Sequence, residues 1–401
     1  MNLILFDCHK TRENLLPLTF TRPVADIRIG ILTIRQKWEK LLGQSSFSLI
    51  ESYLADKFPA SNDSSAALYI NGSILPDEQL LDAIRHLGAL QSLNIQGQVI
   101  AFKTEKHHLN YENFEAIIKG FTPIEYKGTI LSINHPWDIF KLNGEALKSD
   151  FASLTKGRKS KPLSNTNKII GPAENIFVEE GGKVEYAILN TNAGPIYIGT
   201  DAEIMEGCTI RGPFALCEHA TLKMAAKIYG ATTLGPHCKT GGEISNSVFF
   251  GYSNKAHDGF LGNSVIGEWC NLGADTNNSN LKNNYSNVDV FNYREGKTID
   301  TGMVFCGMVM GDHSKSGINT MFNTGTVVGV SANIFGGGFP AKFIPSFSWG
   351  GADGFETYAF DKAIEVAQRM MERRDLKLQQ SDIKILKTVL EREEKHRNKK
   401  G

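Results

Sequence analysis

The sequence predicts an α/β domain, followed by a parallel β-helix built from six-residue repeats, followed by C-terminal α-helices. Three observations support this order. Short apolar runs alternate with helical patterns over the first 150 residues, aliphatic residues recur every six positions from Ile198 onward, and amphipathic helical spacing returns after Pro345. A chain of 401 residues has room for two or three domains that each bury a core.

Composition excludes several classes of protein. Lys plus Arg total 43 and Asp plus Glu total 43, so a dedicated nucleic-acid binder with a basic face is not expected. No apolar run approaches the roughly 20 residues of a membrane span, and Asp7 interrupts the N-terminal apolar stretch too early for a signal peptide. The six cysteines are scattered without a C-x-x-C pair, which favours buried thiols in a reducing cytoplasm over disulfides or zinc.

The first domain is predicted over residues 1–153. Apolar runs predict strands over residues 3–6, 67–70, 99–102 and 129–133, and helical spacing predicts helices over 31–42 and 78–90. Strands that alternate with helices indicate a parallel sheet covered by helices. Residues 154–168 are rich in Lys, Ser and Asn and are predicted to form a linker.

The strongest signal is a repeat of six residues, predicted to form a β-helix over residues 169–345. The aliphatic members are Ile198, Ile204, Ile210, Leu216, Leu222, Ile228 and Leu234. Four residues after each stand Ala202, Cys208, Phe214, Ala220, Ala226, Thr232 and Cys238, of which six are small. This spacing predicts a triangular coil in which both positions point inward and coils stack at about 4.8 Å.

The repeat slips after residue 240 and then resumes. The later members are Ile266, Leu272, Val304, Met310, Phe322, Val328 and Ile334, with Ser316 as a break. The polar stretch Asp275–Asn292 is predicted to leave the prism as a loop. Residues 346–401 are predicted to form amphipathic helices and then a charged, solvated tail over residues 391–401.

One segment within the β-helix resembles a known enzyme family. Residues 255–274 read KAHDGFLGNSVIGEWCNLGA. This is similar to the acetyl-transfer segment of the bifunctional glucosamine-1-phosphate acetyltransferase and N-acetylglucosamine-1-phosphate uridyltransferase family (GlmU type). More narrowly, the chain resembles a divergent Bacteroidetes-type branch of sugar nucleotidyltransferases. The resemblance implies a left-handed β-helix, acetyl-CoA as cosubstrate, and a homotrimer.

The resemblance also implies roles for individual residues. His257 falls on the catalytic histidine, which acts as general base on the sugar amine; imidazole suits this role because its ordinary pKa is near 6.5. The match also implies a backbone contact from Ala274 to the coenzyme, and substrate contacts from five other residues. The family's upstream lysine is absent near Asn246, and Lys255 or Lys282 is expected to supply the missing cation. The implied substrate-binding residues are Asn271, Asn280, Lys255, Lys282 and Phe260, which stands where the family has Tyr.

The N-terminal segment is similar to the nucleotide loop of the same family. Residues 4–12 read ILFDCHKTR, and residues 17–23 read PLTFTRP, which matches the family's Pro-Leu-Thr-x-x-Arg-Pro run. The implied nucleotide-binding residues are Lys10, Thr11, Arg12, Arg22 and Asn71. Cys8 and Lys10 replace glycines of the loop, and Asn71 stands near the family's Mg²⁺-binding Asp, so the metal ligands are unknown while Mg²⁺ stays an option.

The sequence leaves three functions open. The leading one is a bifunctional enzyme of nucleotide-sugar biosynthesis, which acetylates an amino-sugar phosphate and transfers a nucleotidyl group to a sugar-1-phosphate. Its partners would be sugar phosphate, nucleoside triphosphate and CoA, in the cytoplasm, without nucleic acid or membrane. The alternatives are a nucleotidyltransferase whose β-helix is only an oligomerisation stalk, and a non-catalytic sugar-nucleotide sensor or scaffold. His219, His237 and His313 are expected to be structural or exposed, and the adjacent pair His107–His108 lacks a third metal ligand.

Overall fold

The N-terminal domain is a mixed β-sheet flanked by helices. The computed structural model describes residues 1–61, 65–106 and 109–397, so the pair His107–His108 lies outside the described residues. The strands are β1 (Asn2–Phe6), β2 (Ser46–Leu49), β3 (Ala67–Asn71), β4 (Ile74–Leu75), β5 (Gln91–Ile95), β6 (Gln98–Thr104), β7 (Thr122–Glu125) and β8 (Leu131–Ser132). The helices are α1 (His9–Asn14), α2 (Ile34–Leu42), α3 (Glu78–Arg85), α4 (Phe114–Ile118) and α5 (Pro136–Thr155).

The sheet has the order β2-β1-β3-β6-β5-β7, and its strands are not all parallel as predicted. Strand β6 runs antiparallel to both β3 and β5. The reason is a two-residue turn between β5 and β6, in which Gln96 and Gly97 both have positive φ (49° and 81°). Such a turn closes a hairpin and reverses the chain.

Local signals set the ends of the predicted helices. Helix α2 begins at Ile34 because Thr33 and Gln36 form a capping box, so it is shorter than predicted. Helix α3 begins after Asp77, whose side chain accepts the Leu80 amide, and it ends at Arg85. The predicted strand over 129–133 is reduced to β8, which pairs with β4. Helix α5 extends into the predicted linker, and residues 156–167 have no helix or strand.

A parallel β-solenoid with three faces follows, which confirms the predicted β-helix. The first face has the strands Ile176–Val178, Ile196–Ile198, Phe214–Leu216, Thr232–Leu234, Val248–Gly251, Val265–Glu268, Met308–Met310, Thr326–Val328 and Phe343–Ile344. The second has Lys183–Val184, Glu203–Ile204, Thr221–Leu222, Lys239–Thr240, Asn254–Lys255, Asn271–Leu272, Lys315–Ser316, Asn333–Ile334, Ser348–Gly351 and the antiparallel Gly354–Thr357. The third has Lys168–Ile170, Ile188–Asn190, Thr209–Arg211, Lys227–Tyr229, Glu243–Ser245 and Phe260–Gly262, with Asn277–Asn278 and Met321–Phe322 as a separate pair beyond them.

The inward positions of the prism are those that the repeat predicted. All seven aliphatic side chains are at most 2% exposed, and the seven residues that follow them at the fourth position are also buried. Successive coils pair in register: Ile198 lies beside Leu216, and Leu216 beside Leu234, 18 residues apart each time. The next step, from Leu234 to Phe249, takes only 15 residues, which explains why the pattern slips after residue 240.

Three details of the predicted prism are wrong. The predicted loop over 275–292 begins later, because Asn277–Asn278 stays on the prism and pairs with Met321–Phe322. The chain leaves the prism over residues 279–307, which include a hairpin of Asp289–Asn292 and Lys297–Asp300. Val304 lies in this excursion, half-buried, and not inside the prism. The solenoid also continues past residue 345, since Ser348–Gly351 pairs with Asn333–Ile334.

The N-terminal domain packs along the first face of the solenoid, so the two share one core. Val265 and Val309 of the first face belong to the same buried cluster as Phe20 and Ile27 of the domain. Polar contacts cross the same interface: the Arg28 guanidinium donates to the Phe250 carbonyl at 2.9 Å. The Arg22 guanidinium forms a buried ion pair with Asp312 of the solenoid.

Two C-terminal helices, α6 (Phe360–Glu372) and α7 (Gln380–Arg397), pack against the domain and the end of the solenoid. The charged tail predicted to be solvated is helical through Arg397, and two of its charged side chains contact the rest of the protein. Glu393 is buried and accepts the Ser346 amide at 2.6 Å, and Arg392 pairs with Glu51. Residues 398–401 lie outside the described residues. Within the described chain, no helix has both the length and the apolar character to cross a bilayer.

We expect Leu222→Ala to destabilise the protein by about 2–5 kcal/mol, because the prism cannot collapse around the missing side chain. Leu222 is fully buried inside the prism, whereas its neighbour Thr221 is half-buried and points outward. Urea unfolding of both variants would check this. A loss for Thr221→Ala equal to that for Leu222→Ala would contradict the inward packing.

We expect Arg22→Met to cost about 3–5 kcal/mol at neutral pH, because it leaves the buried carboxylate of Asp312 without its cation. Burial is the largest single influence on the pKa of Asp312 and raises it, but the charge of Arg22 together with the hydrogen bonds from Thr21 and the Glu268 amide lowers the pKa overall. The stability from this pair is therefore present above the ordinary Asp pKa of about 4 and lost as pH falls through the folded pKa. The gap between wild type and Arg22→Met should shrink in acid, while Arg211→Met, at an exposed arginine, should show no such gap.

Candidate functional site

His257 lies on the corner that joins the second face of the solenoid to the third. It follows the strand Asn254–Lys255 and precedes the strand Phe260–Gly262. The residue is exposed, so its imidazole can reach a bound molecule. An imidazole ring nitrogen can act as a general base toward a molecule bound at this corner.

The corner directly beneath His257 is unusually short. The inward Ile244 follows the inward Thr240 by only four positions, whereas in a regular coil Ile228 follows Leu222 by six. Gly242 makes this turn with φ of +73°, and a Cβ at this position would lie 3.0 Å from the His257 carbonyl oxygen. The glycine thus lets the corner that presents His257 pack closely on the one below.

Phe260 and Asn280 lie together on the third face, next to the His257 corner. The Phe260 amide donates to the Asn277 Oδ1 at 2.7 Å, and the Asn280 Nδ2 donates to the Asn263 Oδ1 at 2.8 Å. A Cβ at Gly262 would meet both the Asn280 amide nitrogen and the Phe260 ring at 2.6 Å. The structure therefore brings two of the predicted substrate contacts to one place.

Asn271 and Ala274 belong to the next coil. Asn271 is half-buried on the second face, where it pairs in register with Asn254. Ala274 lies on the corner stacked on that of His257, since the neighbouring Asp275 amide donates to the Asp258 carbonyl at 3.1 Å. The Ala274 carbonyl accepts the Asn319 amide at 2.8 Å, and the Ala274 N–H group is the backbone donor at this position.

Neither predicted lysine offers a free cation to a sugar phosphate. Lys255 is 1% exposed, and its ammonium lies inside the prism, so the prediction that it binds substrate is wrong as a direct contact. Lys282 lies in the excursion, where its ammonium bonds to the Asp289 carboxylate at 3.0 Å. Sequence reasoning missed Lys223, which lies on the corner two coils below that of His257, next to Gly241 on the corner between them. Only the stacking of coils brings Lys223 near the His257 corner, and the spacing of residues along the chain does not reveal this.

The three histidines expected to be structural lie on another corner of the prism. His219, His237 and His313 all have positive φ, between 55° and 61°. Their rings form one stack with Tyr252 and Trp269, with ring centroids 4.3–6.3 Å apart. The stack continues from coil to coil along this edge, which favours a structural role.

In the N-terminal domain, Arg12 and Arg22 point into the protein. All five N–H groups of Arg12 have partners: Asp7, Glu51, the Tyr53 hydroxyl, and the carbonyls of Thr19 and Arg22. Arg22 pairs with Asp312 and Glu268. A nucleotide phosphate could reach either guanidinium only after these bonds broke, so the predicted phosphate contacts do not fit this arrangement.

The other predicted nucleotide residues differ in exposure. Thr11 is buried, and Lys10 is exposed. Asn71 is buried at the end of β3; its Nδ2 donates to the Val99 carbonyl at 3.0 Å, and its Oδ1 accepts from Ser73. Lys10 is therefore the one cation of the predicted set that is free to contact a phosphate.

A cavity of about 550 Å³ opens where β1 and β3 end, which is where ligands bind in open α/β sheets. Two buried polar atoms of its lining residues lack a hydrogen-bond partner within the described chain, the Asn94 Oδ1 and the Gln98 Nε2. One is an acceptor and the other a donor, so a bound ring with both groups would satisfy them. Burial raises the pKa of the Cys8 thiol in the wall, which keeps the thiol neutral.

The described residues do not assemble a metal site. No three His, Cys, Asp or Glu side chains converge within ligand distance in the described part of the chain. In the cavity, Glu115 pairs with His9 at 2.8 Å, and Asn71 replaces the family's carboxylate with an amide that is already bonded. The described residues alone therefore do not supply a ligand set for Mg²⁺, which would also need the phosphates of a bound nucleotide.

Comparison with known proteins gives one family-model match and several curated relatives. Residues 3–159 match the family model described as sugar nucleotidyl transferase. A bifunctional sugar-1-phosphate nucleotidylyltransferase/acetyltransferase from Sulfurisphaera tokodaii is 30% identical over 225 residues, covering 53% of this chain and 47% of the relative. A bifunctional protein GlmU from Methanococcus maripaludis is 28% identical over 211 residues, covering 53% and 44%. The chain thus spans about half the length of these curated relatives.

Solved structures give weaker matches. The polySia-specific acetyltransferase NeuO matches 52% of this chain and 94% of its own, at 14% identity and a TM-score of 0.26. An Arabidopsis UDP-N-acetylglucosamine acyltransferase matches 59% and 89%, at 13% identity and a TM-score of 0.26. Scores this low support no argument about function.

The curated matches confirm the resemblance that the sequence motifs predicted. The N-terminal part of this chain matches the sugar nucleotidyl transferase family, and over about half its length the chain is similar to bifunctional sugar-1-phosphate nucleotidylyltransferase/acetyltransferases.

Proposed function

We propose that the His257 corner transfers an acetyl group from acetyl-CoA to the amine of an amino-sugar phosphate. The observation that supports this most directly is an exposed imidazole on a solenoid corner, with Phe260 and Asn280 beside it and Ala274 on the corner above. This arrangement is offered by a chain whose curated relatives are named nucleotidylyltransferase/acetyltransferases.

In this proposal His257 is the general base. Its neutral imidazole takes a proton from the sugar amine while the amine nitrogen attacks the thioester carbonyl. The C–N bond forms, the C–S bond breaks, and the imidazolium returns its proton to the departing CoA sulfur. Asn280, Asn271 and the Phe260 ring orient the sugar, and the Ala274 N–H contacts the coenzyme.

We further propose that the N-terminal domain transfers a nucleotidyl group to a sugar-1-phosphate. Two observations favour this second activity: residues 3–159 match the sugar nucleotidyl transferase family, and a cavity lies at the carboxyl ends of β1 and β3. The Asn94 Oδ1 and Gln98 Nε2 would recognise the ligand's ring, and Lys10 would contact a phosphate. Arg12 would act indirectly, by holding Asp7, which lies between the cavity-lining residues Phe6 and Cys8. Arg22 would act at the interface with the solenoid, through its ion pair with Asp312.

We also propose an oligomeric state and a cellular compartment for the protein. The first face of the solenoid is covered by the N-terminal domain, whereas the third face exposes Ile170, Ile188 and Tyr229. Contact between third faces would bury these apolar side chains, in line with the homotrimer that the family resemblance implies. All six cysteines are free thiols, and the proposed substrates are cytoplasmic metabolites, so we place the protein in the cytoplasm.

We expect His257→Ala to lower the rate of acetyl-CoA-dependent acetylation by about 10²–10⁴-fold, because the attacking amine loses its base. The rate can be measured with glucosamine-1-phosphate and other amino-sugar phosphates as acceptors, by detecting the CoA thiol that each turnover releases. His219→Ala is the matched control, since His219 is also an exposed corner histidine.

Different outcomes separate the alternatives. Wild-type protein that forms a nucleotide sugar but acetylates no amino-sugar phosphate would favour an oligomerisation stalk. Binding of sugar nucleotides without turnover in either assay would favour a sensor or scaffold. A wild-type acetylation rate in His257→Ala would contradict the proposal that His257 is the general base.

We expect Gln98→Ala to weaken the binding of UTP or dTTP by about 5–10-fold, because it removes a donor worth about 1 kcal/mol. Calorimetry with each nucleotide would measure the change. Gln44→Ala, at an exposed glutamine remote in sequence from the cavity lining, is the control. Unchanged affinity in Gln98→Ala would place the nucleotide elsewhere.

A further inference from the structure

One lysine stands among the inward side chains of the prism. On the second face, the inward residues of consecutive coils are Leu222, Thr240, Lys255 and Leu272. An ammonium group in such surroundings is costly unless hydrogen bonds replace its water. The position of Lys255 therefore needs a reason beyond filling space.

The hydrogen bonds of Lys255 lead to the His257 corner. Its Nζ donates to the His257 carbonyl at 2.9 Å and to the Gly241 carbonyl at 3.4 Å. These two carbonyls belong to stacked corners of consecutive coils. One side chain thus ties the corner that presents His257 to the short corner beneath it, from inside the prism.

The sequence makes room for this side chain. In a regular coil, the residue four positions after the aliphatic one fills the corner, as Ala226 does after Leu222. After Thr240, the next inward residue is Ile244, only four positions on, so no additional residue is left to fill the corner. In the next coil, the residue four positions after Lys255 is Gly259, which has no side chain. Two stacked coils therefore lack a small inward side chain at the same corner, which leaves room for the long side chain of Lys255.

The electrostatics agree with this placement. Burial is the largest influence on Lys255 and lowers its pKa to about 8, while the charges of Asp258 and Asp275 act in the opposite direction. Whether charged or neutral, the amine keeps at least two N–H groups, which is enough for both carbonyls. The link between the corners is therefore available across the neutral pH range.

We propose that Lys255 is a positioning residue, which fixes the backbone of the His257 corner from inside the prism and so sets where the imidazole stands. This inference rests on the proposed role of His257 as general base. It replaces the direct substrate contact that the sequence predicted for Lys255. The link itself is a property of the fold and can be measured without any assay of activity.

The chain offers a closely matched control. Lys315, a half-buried lysine at an outward position of the second face, also donates its Nζ to the carbonyl of a histidine two residues away, His313, at 2.7 Å, and burial lowers its pKa to about 8 as well. It stabilises the corner that carries the ring stack, not the one that presents His257. A purely structural role for buried lysines predicts the same result for both residues.

We expect Lys255→Met in the full-length chain to lower kcat for acetylation by about a hundredfold, since a shift of about 1 Å in a catalytic group has that effect. KM for the sugar phosphate and for acetyl-CoA should change less than about threefold, because the binding residues on neighbouring strands stay in place. Amide hydrogen exchange over residues 256–260 should become faster. Lys315→Met should leave both kcat and exchange at this corner unchanged.

The outcomes are distinguishable from failure of the proposed function. If wild type does not acetylate any amino-sugar phosphate, exchange over residues 256–260 still tests the link. Lys255→Met with wild-type exchange at this corner would overturn the proposal, as would equal loss of kcat in Lys315→Met. If Lys255→Met does not fold, Lys255→Gln takes its place, because the Gln amide keeps an N–H donor. We expect Lys255→Gln to fold and to exchange the amides of residues 256–260 faster than wild type. Exchange at the wild-type rate in Lys255→Gln would also overturn the proposal.

Discussion

The inward packing of one aliphatic side chain per prism face is the interaction on which the rest of the structure depends. Each coil hydrogen-bonds to the next in register, and the inward side chains fix that register because a slip of one residue would turn them outward. The stack from Ile198 to Leu216 to Leu234 shows this at its most regular. Once the register is fixed, residues about 17 or 18 positions apart along the chain become neighbours in space.

Departures from that regularity coincide with the candidate site. The coil is shortened at Gly241 and Gly242, directly beneath the corner that holds His257. One coil later, the chain leaves the prism after Asn278 and returns at Met308. A regular prism offers only repeated corners, so an individual site needs such interruptions, and here two of them flank the same corner.

The excursion also connects the two halves of the molecule. Its hairpin reaches the N-terminal domain, where Arg294 pairs with Glu13 at 3.4 Å and the Tyr293 ring meets Phe20 edge-on at 5.4 Å. Glu13 belongs to α1, the helix formed by the segment that resembles a nucleotide loop. Together with the buried pair of Arg22 and Asp312, these contacts make the domain and the solenoid one packed body.

The amino-acid pattern alone identified which residues lie inside the prism, because an aliphatic residue that recurs every six positions fits a β-helix and neither an ordinary helix nor an ordinary strand, and the members Ile210 and Phe214 are both buried. It also determined the motif that contains His257. Tertiary structure decided the rest: whether Arg12 meets a ligand or Asp7, whether Arg22 meets a phosphate or Asp312, and whether Lys255 points to solvent or into the prism. The reason is that a charged side chain takes the partner that folding brings closest, and Asp312 lies 290 residues from Arg22, beyond the reach of any local pattern.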